Sequence, residues 1–172
     1  AILTDEGEVD GVSEGDVTLV FDNTVCYGEG GGQVGDTGIV TLSDGTTLTI
    51  TDTKKADGIY LHMVTISDGE VKVGDQVTVS IDETRRDAIR RNHSACHLLQ
   101  AALREVLGTH VEQAGSYVDA ERVRFDFTHF AALTKEEVAK VELLVNQKIL
   151  QAMVCETVVT DIATAREMGA MM

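Results

Sequence analysis

A chain of 172 residues with 43% apolar side chains has room for one compact domain or two small ones and enough core to fold, which excludes disorder. Its 14 basic and 29 acidic residues leave a net charge of −15, which excludes the broad basic surface of a general nucleic-acid binder. Any nucleic-acid contact must therefore be local, or be supplied from outside the chain. No apolar run has the length to cross a bilayer. Three widely spaced cysteines, Cys26, Cys96 and Cys155, give no disulfide framework and point to a reducing, cytoplasmic setting. The chain opens without Met and stops at Met171-Met172 soon after Gly169, which reads as an excised piece. Proline is absent, so glycine, Asn and Asp must make the turns.

The first half reads as β-structure. The runs 17–21, 38–42, 47–51, 59–64 and 76–81 are β-branched and divided by glycine and aspartate, and Ser43-Asp44-Gly45 is a hairpin signal. Short strands at this spacing predict a small antiparallel, barrel-like part. The pattern changes at Asp82. Residues 84–107 carry helical periodicity stopped by Gly108, and 111–118 with 122–127 read as a strand pair turned at Asp119-Ala120. Thr134-Lys135-Glu136-Glu137 is a capping box opening a helix to about residue 152. Residues 154–160 read as a strand, and Asp161 opens a short helix. The expected fold is α+β, with a β-rich glycine-loop part over 1–83 and an α+β part over 84–172.

The long helix carries His93 and His97 at i and i+4, one turn apart on one face, so that two imidazoles can converge on one ion. The stripe Arg86, Arg90, His93, His97, Gln100, Arg104 is polar throughout, and the opposite stripe Ala88, Ala95, Leu99, Ala102, Val106 is expected to face the core. Two ligands fall short of the three or four that zinc takes from protein, so the pair reads either as half a metal site or as two surface histidines. His62, His110 and His129 each read as a hydrogen-bonded or exposed residue, and Cys96 as a small core residue. Residues 24–38 hold a second feature, a run crowded with glycine. Backbone at Gly31 and Gly32 is free to approach a ligand, and Thr24 and Gln33 bracket the run with uncharged donor–acceptor groups suited to a hydroxyl or an amine. The plain alternative is a flexible hairpin tip.

Taken in order, Gly-Gly-Gln-Val-Gly-Asp-Thr-Gly at 31–38, Arg-Asn-His-Ser-Ala-Cys-His-Leu-Leu at 91–99, Gln-Ala-Gly-Ser-Tyr-Val at 113–118 and Arg-Phe-Asp-Phe-Thr-His at 124–129 resemble the editing domain of alanyl-tRNA synthetase over nearly the whole chain. The resemblance implies a hydrolase that removes wrongly attached serine or glycine from the 3′ end of tRNA(Ala), within an enzyme whose other domains ligate alanine using ATP and Mg2+. It implies Zn2+ on His93 and His97 together with a later Cys-x-x-x-His pair, which this chain lacks. It also places Thr24 and Gln33, with Gly31 and Gly32, in the substrate pocket, and leaves the catalytic group unassigned. The chain departs from the family at Val25, where proline is usual, at Cys26, where an aromatic is usual, and at Cys96, where threonine is usual. The alternatives are a free-standing trans-editing deacylase of the same superfamily, the related editing domain of threonyl-tRNA synthetase, and a non-enzymatic module with an incidental histidine pair.

Overall fold

Glycine and aspartate cut the first half of the chain into short extended runs, and these become strands. The computed structural model describes residues 1–170; Met171 and Met172, where the sequence reads as cut, lie outside the described residues. In chain order the strands are β1 (Ile2–Thr4), β2 (Gly7–Val9), β3 (Gly11–Val12), β4 (Gly15–Leu19), β5 (Gly38–Leu42), β6 (Thr47–Ala56), β7 (Ile59–Ile66), β8 (Val71–Lys72) and β9 (Val77–Ile81). Then follow α1 (Glu83–Leu107), β10 (Gln113–Val118), β11 (Val123–Phe127), α2 (Lys135–Leu150) and α3 (Ile162–Glu167). The fold is α+β, as the change of pattern at Asp82 implies.

Seven strands form one antiparallel sheet in the order β2-β1-β4-β7-β6-β5-β9, and β3 pairs with β8 separately. The long sheet keeps two edges, β2 and β9, so among the described residues it does not close into a barrel. The β5–β6 hairpin turns where the sequence places it: the Gly45 N–H donates to the Leu42 carbonyl at 3.0 Å, and the Asp44 carboxylate accepts from the Thr46 N–H at 2.8 Å. The inward faces of these strands supply Leu19, Val40, Leu48, Ile50, Val64 and Ile66, all buried, as the core of this part.

The chain packs as two compact units. The first takes Ala1–Asn92 and Tyr117–Arg122; the second takes His93–Ser116 and, among the described residues, 123–170. In the second unit Ala102, Leu103, Val111 and Val141 form a core against which Phe125, Phe127, Leu144 and Val145 pack. α2 begins with the expected capping box. Thr134 accepts from the Glu137 N–H, and the Glu137 carboxylate accepts from the Thr134 N–H at 2.8 Å. α3 likewise begins at Asp161, whose carboxylate accepts from the Thr164 N–H at 3.0 Å.

Two expectations are overturned. Residues 154–160 form no strand; Val154 and Val159 are 91% and 95% exposed, and β-branched residues become a strand only where a neighbouring strand takes their hydrogen bonds. Gln100, which the sequence pattern puts on the polar face of α1 with His93 and His97, is instead buried, at 4% exposure. The buried residues Ile89, Cys96, Gln100 and Leu103 show that the core face is set by burial around the helix and not by residue type alone. Among the described residues no helix is long and apolar enough to cross a membrane.

Candidate functional site

The glycine run is a closed and anchored turn. Gly30 and Gln33 exchange both backbone hydrogen bonds, at 3.1 and 3.0 Å, around Gly31 and Gly32. Both central residues have positive φ, +58° and +81°, which side-chain-bearing residues rarely adopt, so two consecutive glycines are what the turn demands. The far arm of the turn runs beside the end of β10. The Val118 N–H donates to the Gly32 carbonyl at 2.8 Å, and the Val34 N–H donates to the Val118 carbonyl at 3.1 Å. On the other side, the Glu29 N–H donates to the Thr53 carbonyl, and the Tyr27 hydroxyl donates to the Gly30 carbonyl at 2.9 Å. At Gly35 a Cβ would collide with the Thr53 carbonyl, so glycine is what lets the loop lie against β6. With these bonds in place the loop is a built surface, and the flexible-tip alternative is set aside.

An ion pair bolts the loop to the first turns of α1. The Asp36 carboxylate, 2% exposed, accepts from Arg86 Nε at 2.8 Å and from Arg86 Nη2, and also from the Tyr27 N–H at 2.6 Å. Arg86 Nη2 also reaches the Val25 carbonyl at 3.3 Å, while Arg85 Nη1 donates to the Gly35 carbonyl at 2.8 Å. A charge-assisted, forked contact of this kind fixes geometry as well as adding energy. The sequence reading put Arg86 in a polar stripe and gave it no partner. Its partner lies 50 residues earlier, inside the glycine motif.

Thr24 is half-buried at the start of the loop and does not stand alone. Its hydroxyl lies 2.8 Å from His62 Nε2 and accepts from the Cys26 N–H at 3.1 Å. His62 sits on β7 with Val64 and Ile66, on the face that alternation buries, and it is fully enclosed. Its Nδ1 lies 3.0 Å from the Leu19 carbonyl, opposite it in the β4–β7 register. Burial pushes the His62 pKa below the ordinary imidazole value. The sequence reading treated His62 as one more isolated histidine. Its place in an alternating strand, on the face of Val64 and Ile66, was the available signal, because a buried imidazole needs a partner at each nitrogen. Gln33 is buried, at 7% exposure, in the bridge between Gly30 and Val118. Thr24, Gln33, Gly31 and Gly32 all belong to the first unit.

His93 and His97 lie on consecutive turns of α1 in the second unit, with rings stacked 18° from parallel and centroids 5.2 Å apart. Burial first, and then the neighbouring His97, hold His93 below the usual imidazole pKa. Neutral imidazole is the form that binds metal, so the donor chemistry suits zinc. The number does not complete a site: among the described residues no group of three or more His, Cys, Asp or Glu could hold a metal ion. Cys96, between the two in sequence, is buried, and burial pushes its thiol pKa up, away from the thiolate that a metal prefers. His110 and His129 bond each other, Nε2 to Nδ1, at 2.9 Å.

The family described as tRNA synthetases class II (A) matches residues 1–85. Over 171 residues the chain is 47% identical to an alanine–tRNA ligase of Acetivibrio thermocellus, covering 98% of this chain and 19% of that protein. Alanine–tRNA ligase 1 of Lachnoclostridium phytofermentans is 50% identical over 155 residues, covering 90% of this chain and 18% of the relative. An alanine–tRNA ligase of Lactococcus lactis subsp. cremoris is 49% identical over 171 residues, covering 98% and 19%. The chain thus spans about a fifth of the length of the curated relatives it matches.

Proposed function

The chain belongs to the alanyl-tRNA synthetase family, as one region of it, and we propose that this region is the editing domain. In this reading it hydrolyses the ester of Ser-tRNA(Ala) and Gly-tRNA(Ala) at the tRNA 3′ end, inside a cytoplasmic enzyme that ligates alanine to tRNA(Ala). A pocket for alanine cannot reject glycine or serine by large factors, because one methylene or one hydroxyl changes binding too little. A second, hydrolytic site answers that need. The observation that carries the reading is the Thr24 hydroxyl, fixed by His62 and by the Cys26 N–H, at the start of the segment that leads into an anchored glycine turn. It is a small, oriented polar group of the kind that reads a hydroxyl or an amine.

The aminoacyl ester is already activated, so hydrolysis asks mainly for orientation of the ester and of one water. Thr24 and Gln33 are proposed to hold the amino-acid part, and Gly31 and Gly32 to let backbone approach it. His93 and His97 would hold zinc with further ligands from elsewhere in the parent protein, and the bound ion would supply Lewis acidity or an anchor for the terminal nucleotide. ATP and Mg2+ would serve ligation in other domains. The strongly acidic charge fits a region that sees only the tip of the tRNA while other domains hold its body. The relatives' printed names, all alanine–tRNA ligases, favour this reading over a free-standing deacylase.

The test is release of serine from Ser-tRNA(Ala) by the full-length protein. Thr24→Val, which keeps shape and removes the hydroxyl, is expected to lower the ratio of Ser-tRNA to Ala-tRNA hydrolysis roughly tenfold to a hundredfold, the worth of one hydrogen bond to substrate. An unchanged ratio would remove Thr24 from the pocket. A second expectation concerns metal. After dialysis the 172-residue chain should hold little zinc by elemental analysis, because two imidazoles are one ligand short of an open zinc site. Extension past Met172 through a Cys-x-x-x-His pair should raise zinc content to one per chain. Tightly held, stoichiometric zinc in the shorter form would mean that its own residues complete the site.

A further inference from the structure

We infer that His62 is a positioning residue for this pocket: it accepts a hydrogen bond from the Thr24 hydroxyl and so presents Thr24 to the ligand as a hydrogen-bond acceptor, matched to the side-chain hydroxyl of serine. The inference rests on the editing reading and adds a direction to it.

The direction follows from the partners at each atom. The Leu19 carbonyl can only accept, so His62 Nδ1, 3.0 Å away, carries the hydrogen and donates it. A ring fully enclosed beside Phe21, whose centroid is 4.6 Å from its own, is held neutral by burial, so its other nitrogen is bare. Bare Nε2 can only accept. The Thr24 hydroxyl, 2.8 Å from it, therefore donates. One lone pair of Thr24 Oγ1 is taken by the Cys26 N–H at 3.1 Å. The Thr24 oxygen is left with one lone pair and no proton to give.

Thr24 also lines a surface hollow with Phe21, Asn23, Val25, Gln76 and Val79. A group that only accepts selects ligands that donate. Serine offers a hydroxyl proton; alanine and glycine offer nothing from the side chain. Were the hydroxyl free to rotate, it would lose this bias and pay rotational entropy on each binding event.

The experiment uses the full-length ligase with Ser-tRNA(Ala) and Gly-tRNA(Ala) as separate substrates. His62→Leu removes the acceptor at Nε2, and the serine-to-glycine rate ratio is expected to fall on the order of tenfold or more. His62→Gln offers an amide oxygen to Thr24 and should return part of that ratio. In a double-mutant cycle, Thr24→Val with His62→Leu should be no worse for the ratio than Thr24→Val alone, since both act through one hydroxyl. Nitrogen NMR of the His62 ring should show a protonated Nδ1 and a bare Nε2. Equal falls on the two substrates, an unaltered ratio in His62→Leu, additive effects in the cycle, or a protonated Nε2 would each overturn the inference. If His62→Leu does not fold, His62→Gln and the ring tautomer of the unaltered protein still decide. If the unaltered ligase releases neither serine nor glycine, the editing reading fails and takes this one with it. If it edits serine and His62→Leu does so equally well, only this inference fails.

Discussion

Replacing His93 and His97 together by alanine is expected to abolish release of serine from Ser-tRNA(Ala) in the full-length ligase, while ligation of alanine continues. The two rings are neighbours on consecutive turns, 5.2 Å between centroids, and a single replacement leaves one donor where the proposed site needs both. Loss of outer contacts around a bound metal already costs about tenfold to a hundredfold, so loss of two direct ligands should exceed about a hundredfold. The fold should not pay for this. His97 is exposed and His93 half-buried, and alanine is the better helix former, so α1 is expected to keep or gain helicity by circular dichroism. Serine release that survives in a folded double variant would remove the pair from the site.

What the sequence made legible was whatever is decided locally. The β5–β6 hairpin, the Thr134 capping box and the stop of α1 at Gly108 depend on residues within a turn of one another, and each was readable. β1, β2, β3 and β8 are two or three residues long, too short to show a period, and were missed. Residues 154–160 had the composition of a strand without a partner, which composition cannot reveal. In the site, Thr24 and Gln33 were singled out because they bracket the glycines. Their consequences were not legible, because each depends on pairing at a distance: Thr24 meets His62 38 residues on, and Asp36 meets Arg86 50 residues on. The first contact is fixed by the β4–β7 register, which sets His62 opposite Leu19. Gln100 marks the converse error. Its polarity aligned it with the histidine stripe, whereas its neighbours bury it.

Asp36→Ala is expected to destabilise the first unit strongly. The carboxylate is 2% exposed and collects Arg86 and the Tyr27 N–H, so its removal strands a partly buried guanidinium and an amide at once. Breaking a buried pair from one side costs about 3–5 kcal/mol, because the remaining charge keeps its desolvation penalty without its partner. For a chain of this length each kcal/mol moves the melting temperature by roughly 2–4 °C, so a fall on the order of 10 °C is expected. Removing both partners, as Asp36→Ala with Arg86→Leu, should cost less than the sum of the single changes, since no stranded charge remains. The loop should also loosen, for the Val25 carbonyl and the Tyr27 N–H lose their contacts on either side of Cys26, whose N–H holds Thr24. Thermal unfolding followed by circular dichroism measures the first effect, and serine release well below the melting point measures the second. A loss under about 1 kcal/mol, the range of an exposed ion pair, would show that the loop is held by its backbone bonds alone.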